Sequence, residues 1–502
     1  MQDFPIVIVG TGFSGIAMGV LLRRAGIESF TILEKADDVG GTWRDNHYPG
    51  AACDVPSHLY CFSFEPRPQW SRAFSPQAEI HAYLRHCVEK YDLRRHIRFG
   101  CAVSGAEFDA AAGTWTVRIE GQAPLVARAL VLGNGALCEP AMPDIPGLAT
   151  FTGPCFHSAR WDHDVDLAGK RVAVIGTGAS AIQFVPQLAP RVGHLDLFQR
   201  TPPWVLPKPD RRMRRFEQRL FRRLPFVNRL HRAWIYWTME ARALGFVVNP
   251  KLMTLLQRLA HRYLARAVPD PVLREKVTPR YAMGCKRILL SNDYYPALGR
   301  ENVDVVTEGI AAVTPAGVRT RDGVLHPADA IVCGTGFMVG DFLTRLHVVG
   351  RGGRTLHDAM AARDGHYLGI AVHGFPNLFM LMGPNTGLGH NSMIFMIEAQ
   401  ARYALQAIQA LRRRRLRFVD VLPARQRAFT DALQAKLRRS IWASGCQSWY
   451  LDADGYNTTT WPGFTWQYWW QTRRLALSDY ECVPEGTPAH EPVATPLPAP
   501  AT

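Results

Sequence analysis

The chain has 502 residues, 47% hydrophobic and 20% charged, with 58 Lys and Arg against 43 Asp and Glu and a formal charge of +15 at pH 7. That length predicts two or three domains around a large buried core, and the balance of residues is that of a soluble globular protein. The positive charge admits nucleic acid, an anionic membrane surface or anionic cofactors as partners. Much of it is local, because residues 211 to 232 hold nine Arg and one acid, Glu217. Met1 to Pro5 carries no positive run and leads straight into a strand, which argues against a signal peptide. No apolar stretch reaches the length of a membrane span. The ten cysteines are scattered without a C-x-x-C pair and read as reduced, small core residues of a cytoplasmic protein.

Phe4 to Gly15, FPIVIVGTGFSG, runs from a β-branched strand through G-x-G-x-x-G (Gly10, Gly12, Gly15) into a helical pattern ending near Ala25. This order brings backbone N–H groups and the positive helix end to a pyrophosphate, with glycines because side chains would block the approach. The next predicted strand, Phe30 to Leu33, ends in Glu34, whose carboxylate suits ribose hydroxyls. Gly40 to Asp54 then reads GGTWRDNHYPGAACD. In disulfide reductases a Gly-Gly-Thr turn precedes closely spaced redox cysteines, whereas here Cys53 and Cys61 lack that spacing. Ser75 and Pro76 mark a helix start, residues 75 to 99 give a helix and a strand, and Val103 opens a β-rich section ending in the strand Ala129 to Leu132. The segment Pro140 to Pro146 leads out of this first domain into FTGPCFHSARWD, residues 151 to 162.

Lys170 to Ala181, KRVAVIGTGASA, repeats the fingerprint as G-x-G-x-x-A in Gly176, Gly178 and Ala181. Arg200 follows Gly176 at the offset that separates Glu34 from Gly10. A guanidinium there suits a 2′-phosphate, so the second site is expected to take NADP rather than NAD. Two nucleotide sites suggest a flavoprotein, with FAD in the first and NADPH in the second. Residues 211 to about 280 read as helical, with Phe216, Leu220 and Leu224 at helical spacing until Pro225. The favoured reading is a solvated cover over the active site; the lesser one is peripheral contact of this basic face, beside Trp234, Tyr236 and Trp237, with anionic membrane. GCKRILLSNDYYP (284 to 296) follows, then a strand, Ala328 to Cys333, read as the return to the first domain. Residues 375 to 392 form a turn-rich loop before a helix near Met393. Trp449, Tyr450 and Trp461 to Trp470 give an aromatic cluster read as core or pocket wall, and the Pro-rich tail from Val483 is expected to be disordered.

The stretch F-x-G-x-x-x-H-x-x-x-W-D (Phe151, Gly153, His157, Trp161, Asp162) resembles the fingerprint of type I Baeyer–Villiger monooxygenases, class B flavoenzymes that convert ketones to esters or lactones. A second signature, G-G-x-W followed by Y-P-G-x-x-x-D, matches at Gly40, Gly41, Trp43, Tyr48, Pro49, Gly50 and Asp54. The resemblance runs from Phe4 to about Arg474. It implies an α/β fold with two Rossmann-like dinucleotide-binding domains, for FAD and NADP, and a helical insertion in the NADP domain. The expected division is 1–140 and 326–482 for FAD, 141–210 and 281–325 for NADP, 211–280 for the insertion and 483–502 for the tail. The catalytic residues it implies are Arg287, Asp54, His157 and Trp161. The FAD contacts are Gly10, Gly12, Phe13, Ser14, Gly15, Glu34 and Lys35, then Gly41, Thr42, Trp43, Asp54, Tyr60, Val103 and Asn385. The NADP contacts are Gly176, Thr177, Gly178, Ala179, Ser180, Ala181 and Gln183, then Arg200, Thr201, Lys286 and Arg287. Dioxygen adding at the C4a carbon of reduced FAD would form the peroxide that attacks a small-molecule ketone. The rival within flavoproteins is an N- or S-oxygenating monooxygenase, whose related fingerprint does not normally end in Trp-Asp or Trp-Pro. A basic nucleic-acid-binding protein is the rival of another class, and the reading adopted has no nucleic-acid partner.

Overall fold

The computed structural model describes residues 4–249, 251–339 and 346–487. Ten strands build two parallel sheets. In chain order they are β1 (Ile6–Val9), β2 (Phe30–Leu33), β3 (Ile97–Arg98) and β4 (Ala129–Leu132), then β5 (Cys155–His157), β6 (Arg171–Ile175), β7 (His194–Phe198), β8 (Val303–Val306) and β9 (Ala330–Cys333), and finally β10 (Leu378–Met380). The first sheet has the order β3-β2-β1-β4-β10 and the second β8-β7-β6-β9-β5, with every pairing parallel. In both, the strand leading into the glycine turn is central and the strand order reverses beside it, which opens a crevice at the carboxyl ends of the strands. β1, β4 and β9 are buried along their whole length, as expected of parallel strands covered on both faces.

The first turn enters helix α1 (Phe13–Arg24), and the predicted start at Ser75 and Pro76 gives α2 (Gln77–Lys90). The second turn enters α3 (Ala181–Leu188). The predicted insertion comprises α4 (Arg215–Arg223), α5 (Pro225–Glu240), α6 (Lys251–Ala267) and α7 (Pro271–Val277). Pro225 ends one pattern and opens the next, because a missing N–H is harmless in a helix's first turn. Helix α8 (Met393–Arg413) begins where expected, with the Ser392 hydroxyl accepting from Ile394 N–H at 3.3 Å, and packs on α1. The last helix is α9 (Thr465–Thr472).

Three expectations are corrected. Ala330–Cys333 lies between β6 and β5 in the second sheet, so the chain leaves the NADP-type domain after this strand rather than at 326. Val483 belongs to a strand, Tyr480–Pro484, paired antiparallel to Leu416–Val421; residues 488–502 of the expected tail lie outside the described ones. Finally, Cys285 and Cys446 are joined as a disulfide, while the other eight cysteines are free as anticipated.

Candidate active site

At the first glycine turn a Cβ on Gly10 would come 2.8 Å from the Gly133 carbonyl oxygen, and one on Gly15 would come 1.9 Å from that of Gly10. These two glycines are required by packing. Gly12 has nothing within 4 Å of its Cβ position and stands at the N-terminus of α1, which no side chain caps. An open space over free helix N–H groups fits an anionic diphosphate. Gly41, at φ +52°, would bring a Cβ 3.2 Å from Gly12 Cα, so the G-G-T-W turn leans directly on the first turn. Phe13 meets Tyr60 edge-on at 5.3 Å, and the Trp43 indole N–H donates to the Tyr60 hydroxyl at 3.1 Å, which makes one aromatic wall beside Thr42.

Glu34 is buried at the end of β2, accepting from the Thr11 and Ala36 amides and from the Arg44 guanidinium, each at 3.0 Å. The backbone thus presents this carboxylate next to the turn. Lys35 pairs with Glu139 at 2.8 Å, and Ser14 is buried against the turn. Val103 packs half-buried with the cluster that contains Leu33.

The second turn repeats the first. A Cβ on Gly176 would meet the Gly334 oxygen at 2.5 Å, whereas Gly178 and Ala179 are exposed and Ser180 and Ala181 open α3. The Thr177 hydroxyl donates to the Thr201 carbonyl at 3.2 Å, which fixes the loop that carries the exposed Arg200. Lys286 has its ammonium 4.9 Å above the Tyr281 ring. Its pKa is lowered by burial and also by the Arg200 charge.

Arg287 and Asp54 come together from 233 residues apart. Arg287 donates from Nε and Nη2 to Asp54 Oδ2 at 2.9 and 2.6 Å, and Nη1 reaches the Leu388 carbonyl at 3.4 Å. Burial is the largest influence on Asp54 and acts to raise its pKa, but the Arg287 charge, the hydrogen bond from Arg287 and the Lys208 charge together outweigh it and hold the carboxyl below the usual range. The Asp54 charge in turn raises the Arg287 pKa, so the guanidinium stays charged. Two further groups join them: the buried phenol of Tyr450, from the cluster read as core or pocket wall, against Arg287, and Lys208, left without a role by the sequence reading, whose charge reaches Asp54 and whose pKa burial lowers. No motif marks Lys208, which lies in a proline-rich segment. Leu388 and Tyr450 belong to an apolar cluster with Trp204, Phe246, Met253, Trp442 and Trp461, so the insertion and the C-terminal aromatics together wall the arginine as expected.

His157 and Trp161 are not part of this pair. His157, buried at the end of β5, accepts at Nδ1 from Ala159 N–H at 3.1 Å and lies edge-on to Phe337 at 5.8 Å. Burial lowers its pKa to about 4, so it is neutral at pH 7. Trp161 packs on Phe156 and on Phe184 of α3, at 5.3 and 5.4 Å, and Phe184 also meets Tyr48. The Tyr48 hydroxyl donates to Gln183 Oε1 at 2.9 Å, and a Cβ on Gly50 would come 2.6 Å from the Gln183 carbonyl oxygen. Gln183 therefore bridges the domains, and the Y-P-G motif is the surface that fits against α3. His157→Ala should leave the flavin bound but slow reduction or oxygenation about tenfold, read by stopped-flow absorbance; loss of flavin would instead assign His157 to packing alone.

Asn385, an expected flavin contact, also fastens a loop. Its Nδ2 donates to the Asn457 carbonyl at 2.8 Å, its Oδ1 accepts from His366 Nε2 at 3.0 Å and its own N–H donates to the Thr458 carbonyl. His366 Nδ1 accepts from Gly369 N–H at 2.8 Å, and burial depresses its pKa to about 4. As pH falls, the unfolded chain protonates this histidine near 6.5 and the folded chain only near 4. The stability it contributes is therefore present above about pH 6.5 and lost between there and about 4. The thermal midpoint should drop by on the order of 5 °C over that window, and His366→Gln should flatten the slope.

These features define a flavoprotein with two dinucleotide folds and a half-buried arginine–aspartate site between them. The flavin-binding monooxygenase-like family model matches residues 4–255. A Baeyer-Villiger monooxygenase of Pseudomonas aeruginosa is 50% identical over 477 residues, covering 95% of this chain and 90% of that protein. One from Streptomyces coelicolor is 47% identical, covering 96% and 93%. The structure of an oxidized steroid monooxygenase bound to NADP superposes with a TM-score of 0.87 at 30% identity, over 96% of this chain and 99% of that one. The chain belongs to the Baeyer–Villiger monooxygenases.

Proposed function

We propose that this protein is an FAD-dependent ketone monooxygenase that uses NADPH and dioxygen to insert one oxygen atom beside a ketone carbonyl, giving an ester or lactone. The observation that carries this reading is the Arg287–Asp54 pair, held against an apolar aromatic wall. An N- or S-oxygenating role is not favoured, because the named relatives at 47 and 50% identity are Baeyer–Villiger enzymes.

Bound FAD supplies the oxygen activation and NADPH the hydride. The uncapped start of α1 holds the FAD diphosphate, and Glu34, exchanging one of its present donors, accepts from ribose hydroxyls. Arg200 and Lys286 clamp the NADPH 2′-phosphate. Arg287 stabilises the negative charge that develops on the ketone oxygen as it is attacked, in a site where apolar walls exclude water and strengthen the interaction. Asp54 keeps the guanidinium oriented. His157, Trp161 and Gln183 set how the two domains meet. The glycine turns and their sheets divide the chain into an FAD domain and an NADP domain, with the helices between 211 and 280 as an insertion. No described helix is long and apolar enough to cross a membrane. A demand for NADPH favours the cytoplasm.

A panel of aliphatic, cyclic and aryl ketones, supplied with NADPH under oxygen and followed by chromatography, tests the proposal. Ester or lactone from at least one ketone is expected; amine or sulfide oxides without any ester would overturn it.

A further inference from the structure

We propose that the outer face of the helical insertion docks on an anionic lipid bilayer. On α5, Phe226, Leu230, Trp234 and Trp237 are 59–65% exposed. Their spacing of four, four and three places them on one stripe, while Ile235 and Met239 face the core. On α6, Leu252, Leu255, Leu256 and Leu259 are exposed on one face, and Met253, Ala260 and Leu264 are buried on the other. Phe216 and Leu220 are exposed on α4. Trp466, Trp469 and Trp470 are also exposed on α9. That helix is tied to α5 by the Tyr236 hydroxyl against the Thr465 hydroxyl at 2.9 Å and by the Thr465 hydroxyl donating to Glu240 at 2.8 Å. A monomeric soluble protein rarely exposes apolar surface on this scale without a partner for it. The inward sides of the same helices already pack on the core and the site wall, so this face is what they leave over.

Charge selects the occupant. Residues 211 to 267 contain fourteen Lys and Arg against two acids, Glu217 and Glu240. Glu217 is paired with Arg211 and Glu240 is buried, so neither offsets the exposed charge of Arg215, Arg219, Arg222 and Arg223. A second copy docking by this face would set arginine against arginine, because a two-fold interface presents the same patch from both sides. An anionic bilayer satisfies both features, taking Leu, Phe and Trp into the headgroup boundary while phosphates meet the guanidinium groups. The solvated cover expected from sequence is thus assigned to the lipid surface on the strength of its exposed apolar stripes.

The test is sedimentation of the holoenzyme with vesicles of phosphatidylcholine alone or with about one-third phosphatidylglycerol. Binding is expected only to the anionic vesicles, and it should weaken in high salt. Trp234→Ser with Trp237→Ser should weaken it at least tenfold, and Arg219→Ser or Arg223→Ser about fivefold each, with the flavin spectrum and NADPH consumption unchanged. Failure to bind anionic vesicles would overturn the proposal. So would equal binding by all variants, or a dimer that the tryptophan pair dissociates without any vesicle binding.

Discussion

Arg287→Ala is expected to abolish ester formation while leaving the flavin bound and reducible by NADPH. The side chain commits Nε and Nη2 to Asp54, which leaves Nη1, at 3.4 Å from the Leu388 carbonyl, as the edge best placed to turn toward a substrate oxygen. Charge appears on that oxygen only as the ketone is attacked, so the interaction is stronger in the transition state than with the resting substrate. Removing one such preorganised group lowers the rate by about a hundredfold to a thousandfold. FAD should remain, because its glycine turn and the Phe13, Tyr60 and Trp43 wall do not depend on Arg287. NADPH should still be consumed, its electrons reducing dioxygen to hydrogen peroxide rather than entering product. Arg287→Lys should rescue little, since an ammonium is a compact point charge on a flexible stem and lacks the rigid planar fork that aims Nε and Nη2 at Asp54 while Nη1 points elsewhere. Asp54→Ala should lower ester formation as well, by releasing the guanidinium while keeping its charge. The measurement is ester by chromatography against NADPH oxidised and peroxide released. Undiminished ester from Arg287→Ala would leave the pair as a structural ion bridge.

Both glycine turns, Glu34 and Arg200 could be read from sequence because strand, turn, helix and the residue at the next strand end are local, so spacing alone places them. The Arg287–Asp54 pair could not, as its members lie 233 residues apart and neither segment names the other. Family resemblance named both residues among the catalytic ones, and the fold shows them paired. Spacing failed for β9: a short buried strand followed by Gly-Thr-Gly looks the same whichever sheet it joins, and only its register with β6 and β5 decides. It failed too for Cys285 and Cys446, 161 residues apart. Asn385 was expected as a flavin contact from family resemblance. Its positive φ and three hydrogen bonds show a residue that holds the loop to 457–460. His157 and Trp161 illustrate the reverse case: a strong motif arises there because strand end, ring stack and domain junction each fix one position, with no contact to the ion pair.

NADPH is expected to reduce the flavin at least a hundredfold more efficiently than NADH in kcat/KM, and Arg200→Ala to remove most of that difference. Arg200 is exposed just beyond β7, and Lys286 approaches from another segment with its pKa lowered by burial and by the Arg200 charge. Two cations that repel one another without a ligand are relieved by the 2′-phosphate, and NADH offers only a hydroxyl there. Hydrogen bonds to charged groups contribute about 1.5–3 kcal/mol each, so losing Arg200 should lower kcat/KM for NADPH by roughly tenfold to a hundredfold. The loss should fall on KM, since the phosphate is bound equally before and during hydride transfer. Lys286→Ala should have the smaller effect, because its ammonium lacks the planar fork and also rests over Tyr281. NADH kinetics should hardly change in either variant, which separates loss of phosphate recognition from damage to the fold. Equal efficiency of NADH and NADPH in the unmodified protein would remove Arg200 and Lys286 from the cofactor site.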